Sequence, residues 1–411
     1  MTTWIIEPHD PLIVRDGRPF SAIPGAQAVS LPFPFPSTTT GGVRTRAGLK
    51  NGIFDIAMAQ EVKKIKVRGP LLVELAHEDG SVAPKYLNCL VSAPADALIF
   101  GPDPEKKKPI LQQLVPLTPF EGSVTNFDEK QLSLVGLAES DRRKPSKDAP
   151  HYWCWDKFEE WLLNPAKLQK QDNPLTGLGH NGPQREHRTH VSMEADQRIA
   201  NEGALFGTSG LEFTAPGTSI HKLYEAQRLA LAVAVDESEA SGLNKIQEGI
   251  AGLGGERRMV SWRKSNDQLP SYPQGLVDTI ISDKACRVIL LTPAYFAEGY
   301  RPIWLTQEHF GITPELKAIA IQRPQVVSGW DLEKKGPKHT RRLAPAGTVI
   351  FLKLKGGDDA IIDWVNSMWM QCISDNDPDG SIPSQSRDDG FGLAVLGTWS
   401  GKPVAMGKEQ Q

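Results

Sequence analysis

Arginine and glycine occur together at two turns of this sequence, in a pattern that suits phosphate binding. In the first turn the candidate phosphate ligands are Arg15 and Arg18, which flank the turn residues Asp16 and Gly17, and in the second they are Gly255, Arg257 and Arg258. A guanidinium group binds phosphate through two parallel hydrogen bonds, and the backbone N–H groups of a glycine turn form an anion-binding concavity. The structural alternatives are an ion pair that rigidifies the first loop and a plain glycine helix cap in the second.

A third candidate anion site is the start of a predicted helix. The serine and threonine run at residues 37–40 can cap a helix over about residues 41–59. Free backbone N–H groups at a helix N-terminus attract anions, whereas simple capping is the ordinary alternative. The candidate anion ligands here are Ser37, Thr38, Arg44 and Arg46. Four glycines make this helix intrinsically poor, which indicates either close approach of another backbone or tight packing on a sheet.

Arg188 lies in a segment rich in arginine and histidine, with His187 and His190 beside it and His180 upstream. The spacing of these histidines matches no standard set of metal ligands, and the sequence lacks the H-E-x-x-H pattern. General acid–base work by one histidine is a second interpretation. We favour a basic stretch that contacts nucleic acid, or a purely structural role.

The last candidate motif along the chain is a glycine-rich run, Gly390–Trp399, which also contains Gly392 and Gly397. It follows an acidic loop and opens no predicted helix, so it is not a dinucleotide-binding fingerprint. The phosphate-binding P-loop, the G-x-S-x-G elbow and the kinase motif set are all absent from the sequence. We therefore expect no cofactor and no metal.

Charge is distributed unevenly along the 411 residues, although the formal net charge is only −3. Residues 1–68 carry nine basic and five acidic side chains, residues 328–355 carry seven and two, and residues 358–389 carry one and eight. The net charge excludes a uniformly basic nucleic-acid binder but not a local basic groove. Basic tracts attract polyphosphate and the acidic tract suits a basic protein partner, while solvated faces are the ordinary explanation of such runs.

Nothing in the sequence predicts export or membrane insertion. The four cysteines are widely spaced without a C-x-x-C pair, which argues against a zinc ribbon or a disulfide framework. No signal peptide is readable, and the longest apolar run, Leu229–Val235, is far shorter than the roughly 20 residues that cross a bilayer. We expect a cytoplasmic protein without membrane contact.

The order of predicted elements indicates an α+β fold. In the first half we predict strands at 4–6, 229–235 and 259–263 and helices at 41–59 and 241–253. In the second half we predict strands at 287–291, 318–330, 348–354 and 391–399 and an amphipathic helix at 360–372. This repeated order predicts two tandem ferredoxin-like domains, residues 1–268 and 269–411. The first domain carries a long, loop-rich insertion at about 95–185 with a short helix at 156–163.

Six blocks of the sequence, taken together and in order, resemble one protein family. They are Glu7–Phe20, Pro36–Arg44, Leu253–Arg258, Thr292–Pro302, Ser328–Val349 and Gly390–Trp399. The first contains D-P-L-I-V-R-D-G-R-P-F and the third contains G-G-E-R-R. Each block is short, but their ordered combination is specific. The family is the third subunit of the Cmr complex, a type III-B CRISPR RNA-guided effector, whose members are RAMP proteins with RRM-like folds.

The resemblance implies a non-catalytic subunit that binds the repeat-derived 5′ handle of the CRISPR RNA. It also implies docking on the large polymerase-like subunit, contact with the backbone RAMP subunits, and only indirect contact with target RNA. The RNA-binding residues then predicted are Arg15, Asp16, Gly17, Arg18, Ser37, Thr38, Arg44, Arg46, Arg188, Gly255, Arg257, Arg258, Lys338, Gly390, Gly392 and Gly397.

Two other functions remain open from the sequence. One is a RAMP endoribonuclease that processes precursor CRISPR RNA, with His9, His187 or His190 as its acid or base. The other is the equivalent subunit of the type III-A complex, which shares fold and role. The Trp330-Asp331 pair and the Gly255–Arg258 turn favour the Cmr version over the type III-A one.

Overall fold

The computed structural model describes residues 1–15, 27–76, 86–102, 108–123, 132–139, 141, 143–171, 173–194, 196–215, 226–331, 336–378 and 382–406. Within these ranges the α-helices are α1 (Pro36–Ala47), α2 (Ala59–Val62), α3 (Trp155–Leu163), α4 (Pro165–Gln169), α5 (Leu276–Asp283), α6 (Asp358–Met368) and α7 (Gln385–Asp388). A 3₁₀ helix covers Ile56–Met58. None of these described helices is long and apolar enough to cross a membrane.

Strands outnumber helices. In chain order they are β1 (Thr2–Pro8), β2 (Gln27–Ala28), β3 (Leu49–Lys50), β4 (Ile53–Phe54), β5 (Lys66–Leu75), β6 (Tyr86–Ser92), β7 (Ala97–Phe100), β8 (Ile110–Gln113), β9 (Val115–Thr118), β10 (Leu134–Gly136), β11 (Tyr152–Cys154), β12 (Gly179–His180), β13 (Gln184–Met193), β14 (Ala200–Glu212) and β15 (Thr214–Ala215). They continue with β16 (Gln227–Asp236), β17 (Gly249–Leu253), β18 (Arg258–Ser265), β19 (Ala285–Leu290), β20 (Ala294–Tyr295), β21 (Glu315–Ala320), β22 (Gln325–Val327), β23 (Trp330–Asp331), β24 (Gly336–Pro337), β25 (Arg341–Ala344), β26 (Val349–Lys353), β27 (Gln371–Cys372), β28 (Leu393–Thr398) and β29 (Val404–Ala405).

The larger sheet has the strand order β12-β11-β6-β5-β16-β1-β18-β17, and β15 also pairs with β16. β1 lies near its middle and pairs antiparallel with β16 on one side and β18 on the other. β16 contains the apolar run predicted as a strand, and its residues from Leu229 to Val235 are all buried. A strand buried on both faces has no alternation of polar and apolar residues, which explains this continuous run.

The smaller sheet has the strand order β21-β26-β19-β28-β27. β19, which is buried along its whole length, pairs antiparallel with β26 and β28. The predicted amphipathic helix is α6, and it buries Ile361, Trp364, Val365 and Met368 on one side of this sheet. The strands predicted at 287–291, 348–354 and 391–399 and the helix predicted at 360–372 are therefore confirmed in type, with ends that differ by a few residues. The single strand predicted at 318–330 is wrong, because that stretch forms two strands, β21 and β22, which belong to different sheets.

Four strands of each sheet share one spatial order. They lie as β5-β16-β1-β18 in the larger sheet and as β21-β26-β19-β28 in the smaller one. A β-α-β-β-α-β unit needs a helix after its first and after its third strand. The larger sheet has only the first of these helices, α1, and the smaller sheet has only the second, α6. The α+β class is thus confirmed, whereas the tandem ferredoxin-like arrangement and the boundary at residue 268 stay predictions.

The helix predicted at residues 241–253 is wrong. Residues 237–257 are all described and form no helix; the segment runs extended and ends in β17 at the edge of the larger sheet. Ile246, Ile250 and Leu253 have helical spacing, yet Ile250 is 63 % exposed in the structure. Antiparallel pairing with β18 overrides the spacing, and Gly249 and Gly252 in this stretch weaken a helix further.

The predicted insertion at 95–185 is not a loose appendage in its described part. β11 and β12 extend the larger sheet, and α3 matches the short helix predicted at 156–163. Large side chains from this segment are fully buried between the two sheets, namely Trp153, Phe158, Trp161, Leu162, Leu168 and Leu178. The core that joins the two sheets therefore includes many side chains from the segment that was predicted to be a loop-rich insertion.

Candidate nucleic-acid interface

A cleft of about 360 Å³ opens beside the start of α1 and brings together five predicted site residues. These are Arg15, Ser37, Thr38, Arg44 and Lys338. Lys63 and Arg341, which are not among the predicted site residues, also line it. Five cationic side chains among the described lining residues stand against one carboxylate, that of Asp389, so the cleft has a positive potential. We call this surface the cationic cleft.

The first turn of α1 forms one wall of the cationic cleft. The helix begins at Pro36, five residues earlier than predicted, because proline fits the first helical position, where no N–H partner is needed. Ser37 and Thr38 consequently lie inside the first turn rather than before it. The preceding Phe35 provides no side-chain cap, so the positive end of the helix faces the cleft without a carboxylate of its own.

Arg44 lines the cleft but uses its guanidinium group inside the protein. It forms an ion pair with Asp389 and donates to the carbonyl oxygens of Lys63 at 3.2 Å and Ile65 at 2.9 Å. Its side chain is only 13 % exposed. These bonds fasten α1 to the loop before β5 and to the end of α7, which assigns Arg44 a bracing role and leaves RNA contact by it unsupported.

Arg46 points away from the cleft. Its guanidinium group donates to the carbonyl oxygen of Gln247 and lies 5.3 Å from the centre of the Trp262 ring. Burial lowers the pKa of Arg46 from its usual value. Arg46 therefore packs α1 against β18, and its predicted contact with RNA is not supported by this placement.

Lys338 reaches the cleft from a short hairpin formed by β23 and β24. Its backbone N–H donates to the carbonyl oxygen of Gly329 at 2.7 Å, and the Ser328 hydroxyl donates to its carbonyl oxygen at 3.1 Å. These two bonds fix the backbone while the side chain stays exposed. Nearby Arg341 is instead braced by Asp377 and Ser386, both at 2.8 Å. The basic tract at 328–355 signals this wall in the sequence.

Comparison with known proteins identifies the family. The sequence matches the model of a CRISPR-associated protein family, Cas_Cmr3, over residues 4–399. The chain belongs to the Cas_Cmr3 family. This confirms the resemblance drawn from the six sequence blocks.

Two solved structures are similar to this Cas_Cmr3-family chain. One is a type III-B Cmr-beta complex bound to cognate target RNA, with 14 % identity over 99 % of both chains and a TM-score of 0.45. The other is type III-B Cmr-beta bound to cognate target RNA and AMPPnP, state 1, with 14 % identity, a TM-score of 0.43, and coverage of 89 % of this chain and 88 % of that one. No curated protein matches the sequence.

The glycine–arginine turn after β17 is occupied by the protein itself. The Gly255 N–H donates to the carbonyl oxygen of Ile13 at 2.7 Å, so this placement does not support phosphate binding by Gly255, which stays a prediction. Gly254 has φ of +73°, and a Cβ there would lie 2.7 Å from the same oxygen, which explains the glycine. Arg258 pairs with Glu256 at 2.8 Å, and neither Arg257 nor Arg258 lines the cationic cleft.

The C-terminal glycines serve backbone packing. Gly390 has φ of +96°, and a Cβ there would lie 2.6 Å from the carbonyl oxygen of Gly69 in β5. Gly392 has φ of +81° and donates its N–H to Pro293 at 2.8 Å. Gly397 lies in β28 beside the buried Arg287. All three are buried, so the geometry supports a structural role for them in place of the predicted RNA contact.

Arg188 lies on a separate surface, the exposed ribbon of β13 and β14. It forms an ion pair with Glu186 at 2.6 Å and is not among the residues that line the cationic cleft. The turn residues Asp16, Gly17 and Arg18 lie outside the described residues, as does Phe20. Of the first arginine turn, only Arg15 is placed by the structure.

The candidate catalytic histidines do not converge. His9 contacts the Ser261 hydroxyl at 2.6 Å, beside β18, whereas His187 and His190 lie on β13. His187 and His190 are three residues apart, so their side chains leave opposite faces of the ribbon. His190 is held by the Thr208 hydroxyl at 2.8 Å and stacks on Phe206. In the described part of the chain, no group of three histidine, cysteine or acidic side chains is placed to hold a metal ion.

Proposed function

We propose that this Cas_Cmr3-family chain is a non-catalytic RNA-binding subunit of a type III-B CRISPR effector complex. It holds the 5′ handle of the CRISPR RNA, docks on the large polymerase-like subunit and contacts the backbone RAMP subunits. Contact with target RNA is indirect. The subunit acts in the cytoplasm in antiviral defence. The similar structures named above are of type III-B complexes with bound RNA, which is in keeping with this assignment.

The observation that carries the proposal is the charge and shape of the cationic cleft. Arg15 and Lys338 both line it, together with Ser37 and Thr38 of the first turn of α1. Side-chain cations and helix N-terminal N–H groups are the groups that neutralise phosphates of a single strand. Such contacts are made to the phosphate backbone and not to the bases, so they position the RNA strand without recognising its sequence. They therefore suit the 5′ handle, which every complex holds in the same position.

The test is the salt dependence of RNA binding by the full chain. The double change Arg15→Glu with Lys338→Glu removes two phosphate contacts and reverses their charge. For a single strand, each lost contact reduces the slope of log affinity against log salt by about 0.7, so we expect a change of roughly 1.4. The measurement is a titration of labelled 5′-handle RNA at several salt concentrations.

Lys167→Glu with Lys170→Glu is the matched control. Lys167 on α4 and Lys170 directly after it are exposed, and neither lines the cleft. Because two cations become glutamates in both variants, the control has the same net charge as the cleft variant. We expect its slope to equal that of the wild type. Equal slopes for all three proteins would contradict handle binding in the cationic cleft.

The non-catalytic assignment has its own test. The pure chain is incubated with labelled repeat RNA in the absence of metal, and we expect the RNA to remain intact. The scattered positions of His9, His187 and His190 support this expectation, since acid–base cleavage needs groups that converge on one phosphate. Specific cleavage that a single histidine-to-alanine change abolishes would favour the endoribonuclease instead.

A further inference from the structure

A second depression, of about 700 Å³, adjoins the cationic cleft. Six of its lining residues are prolines, namely Pro32, Pro34, Pro36, Pro70, Pro293 and Pro345, and we call it the proline pocket. Ser328 lines both depressions. Pro36 of the pocket precedes Ser37 of the cleft, and Thr340 of the pocket follows His339 of the cleft. A strand lying in the cleft therefore has the pocket beside it.

The two depressions differ in chemistry. The described lining of the proline pocket contains no charged side chain, whereas the cleft has five cations. Phe33 and Tyr152 form part of the pocket wall and pack against each other with ring centres 5.7 Å apart. Both are only partly buried, so flat apolar surface remains for another ring. A neutral, aromatic pocket joined to a cationic cleft is complementary to a nucleotide, in which a neutral base is joined to an anionic phosphate.

One polar group of the pocket is left without a partner. The side-chain oxygen of Gln325 is buried and accepts no hydrogen bond from any described residue. Buried acceptors are normally paired, so an unpaired one on the wall of a pocket marks a place for a donor from a ligand. Adenine, cytosine and guanine each offer an exocyclic amine, whereas uracil has none and carries a carbonyl oxygen where cytosine has its amine.

We infer that the proline pocket receives one unpaired base of the bound RNA. The base stacks on the aromatic wall at Phe33 and donates its exocyclic amine to Gln325. This inference rests on the proposed function, because the phosphate of the same strand lies in the cationic cleft. A base bound in the proline pocket gives the site a preference for certain bases, whereas the phosphate contacts in the cleft do not depend on the RNA sequence.

The experiment measures binding of labelled oligo(A) and oligo(U) to the full chain. The wild type is expected to prefer oligo(A). Phe33→Ala should weaken both oligonucleotides by roughly tenfold, since it removes a stacking surface, and should leave the salt slope unchanged. Gln325→Met should weaken oligo(A) toward the affinity for oligo(U) and leave oligo(U) as it was.

Matched variants and a stability measurement keep the test decisive. Phe120→Ala and Gln307→Met change exposed residues outside both depressions, and both should bind RNA as the wild type does. Phe33→Leu keeps apolar bulk without the aromatic face, so it should fold normally and still bind weakly. Thermal unfolding of each variant identifies any that has lost its fold.

Three results would overturn the inference in distinguishable ways. If the wild type binds neither oligonucleotide at any salt concentration, the proposed function fails and the inference fails with it. If salt-dependent binding persists and Phe33→Leu and Gln325→Met match the wild type, only the base pocket is wrong. If those variants bind RNA normally but no longer associate with other subunits of the complex, the pocket belongs to a polypeptide.

Discussion

Basic side chains occur both between the two sheets and in the cationic cleft, but they are buried and paired between the sheets and partly exposed to solvent in the cleft. Arg287 lies between the sheets with no exposed surface and is paired with Asp96 at 2.5 Å. Its other guanidinium nitrogens donate to the carbonyl oxygens of Thr398 at 2.8 Å and Trp161 at 2.6 Å. Every nitrogen of this arginine therefore has a partner within the protein.

Asp96 is equally well paired. Besides Arg287, it accepts hydrogen bonds from the Trp161 indole N–H at 3.0 Å and from the Gln113 amide at 3.3 Å. In the cationic cleft, by contrast, cations outnumber carboxylates and the side chain of Lys338 is exposed. A basic residue whose N–H groups all donate to protein oxygens therefore stabilises the fold. A basic residue that is exposed to solvent among other cations is instead available to bind an anionic ligand.

The largest expected effect comes from breaking the buried pair. Asp96→Ala leaves the Arg287 charge buried without compensation, so we expect the free energy of unfolding to fall by about 3–5 kcal/mol. Urea denaturation followed by circular dichroism measures it. Asp363→Ala, at an exposed position on α6, is the control and should change stability by less than about 0.5 kcal/mol. Equal stability of the two variants would show that the pair does not hold the sheets together.

Arg44 sharpens the comparison because it lines the cleft yet is bonded like Arg287. Arg44→Met removes an ion pair and two hydrogen bonds to carbonyl oxygens at a mostly buried site. We expect a loss of about 2–3 kcal/mol in the free energy of unfolding, and a salt slope for RNA binding that matches the wild type. An unchanged stability combined with a shallower salt slope would instead place Arg44 among the residues that contact RNA.

Sequence patterning located elements whose signal is local. The apolar run of β16 and the apolar face of α6 are each formed by residues close together in the sequence. Hydrophobic periodicity and composition therefore suffice to predict these two elements. β17 was missed because its spacing is also helical, and only its pairing with β18 decides the matter. The role of α3 in joining the sheets depends on contacts with strands more than a hundred residues away, which no local pattern contains.

The candidate site shows the same limit. An arginine turn and a helix start predicted Arg15, Ser37 and Thr38 as RNA-binding residues at two separate sites, and only the structure brings them together with Lys338. The amino-acid composition could not predict which basic residues form ion pairs and hydrogen bonds within the protein. Arg44 and Asp389 are 345 positions apart, so their pairing is fixed by the fold alone.

The smallest expected effect compares a half-buried histidine, His180, with an exposed one in the cleft, His339. His180 Nδ1 accepts the Gly182 N–H at 2.7 Å, and burial lowers the pKa of His180. The unfolded chain gains a proton near pH 6.5 that the folded chain resists, so stability falls as the pH decreases below about 6.5. His180→Asn keeps an acceptor that does not titrate and should reduce this loss, measured as urea midpoints at about pH 7.5 and about pH 5.5. His339→Asn, at an exposed position in the cleft, should behave as the wild type. If His180→Asn loses as much stability on acidification as the wild type, that histidine does not contribute to the acid sensitivity of the fold.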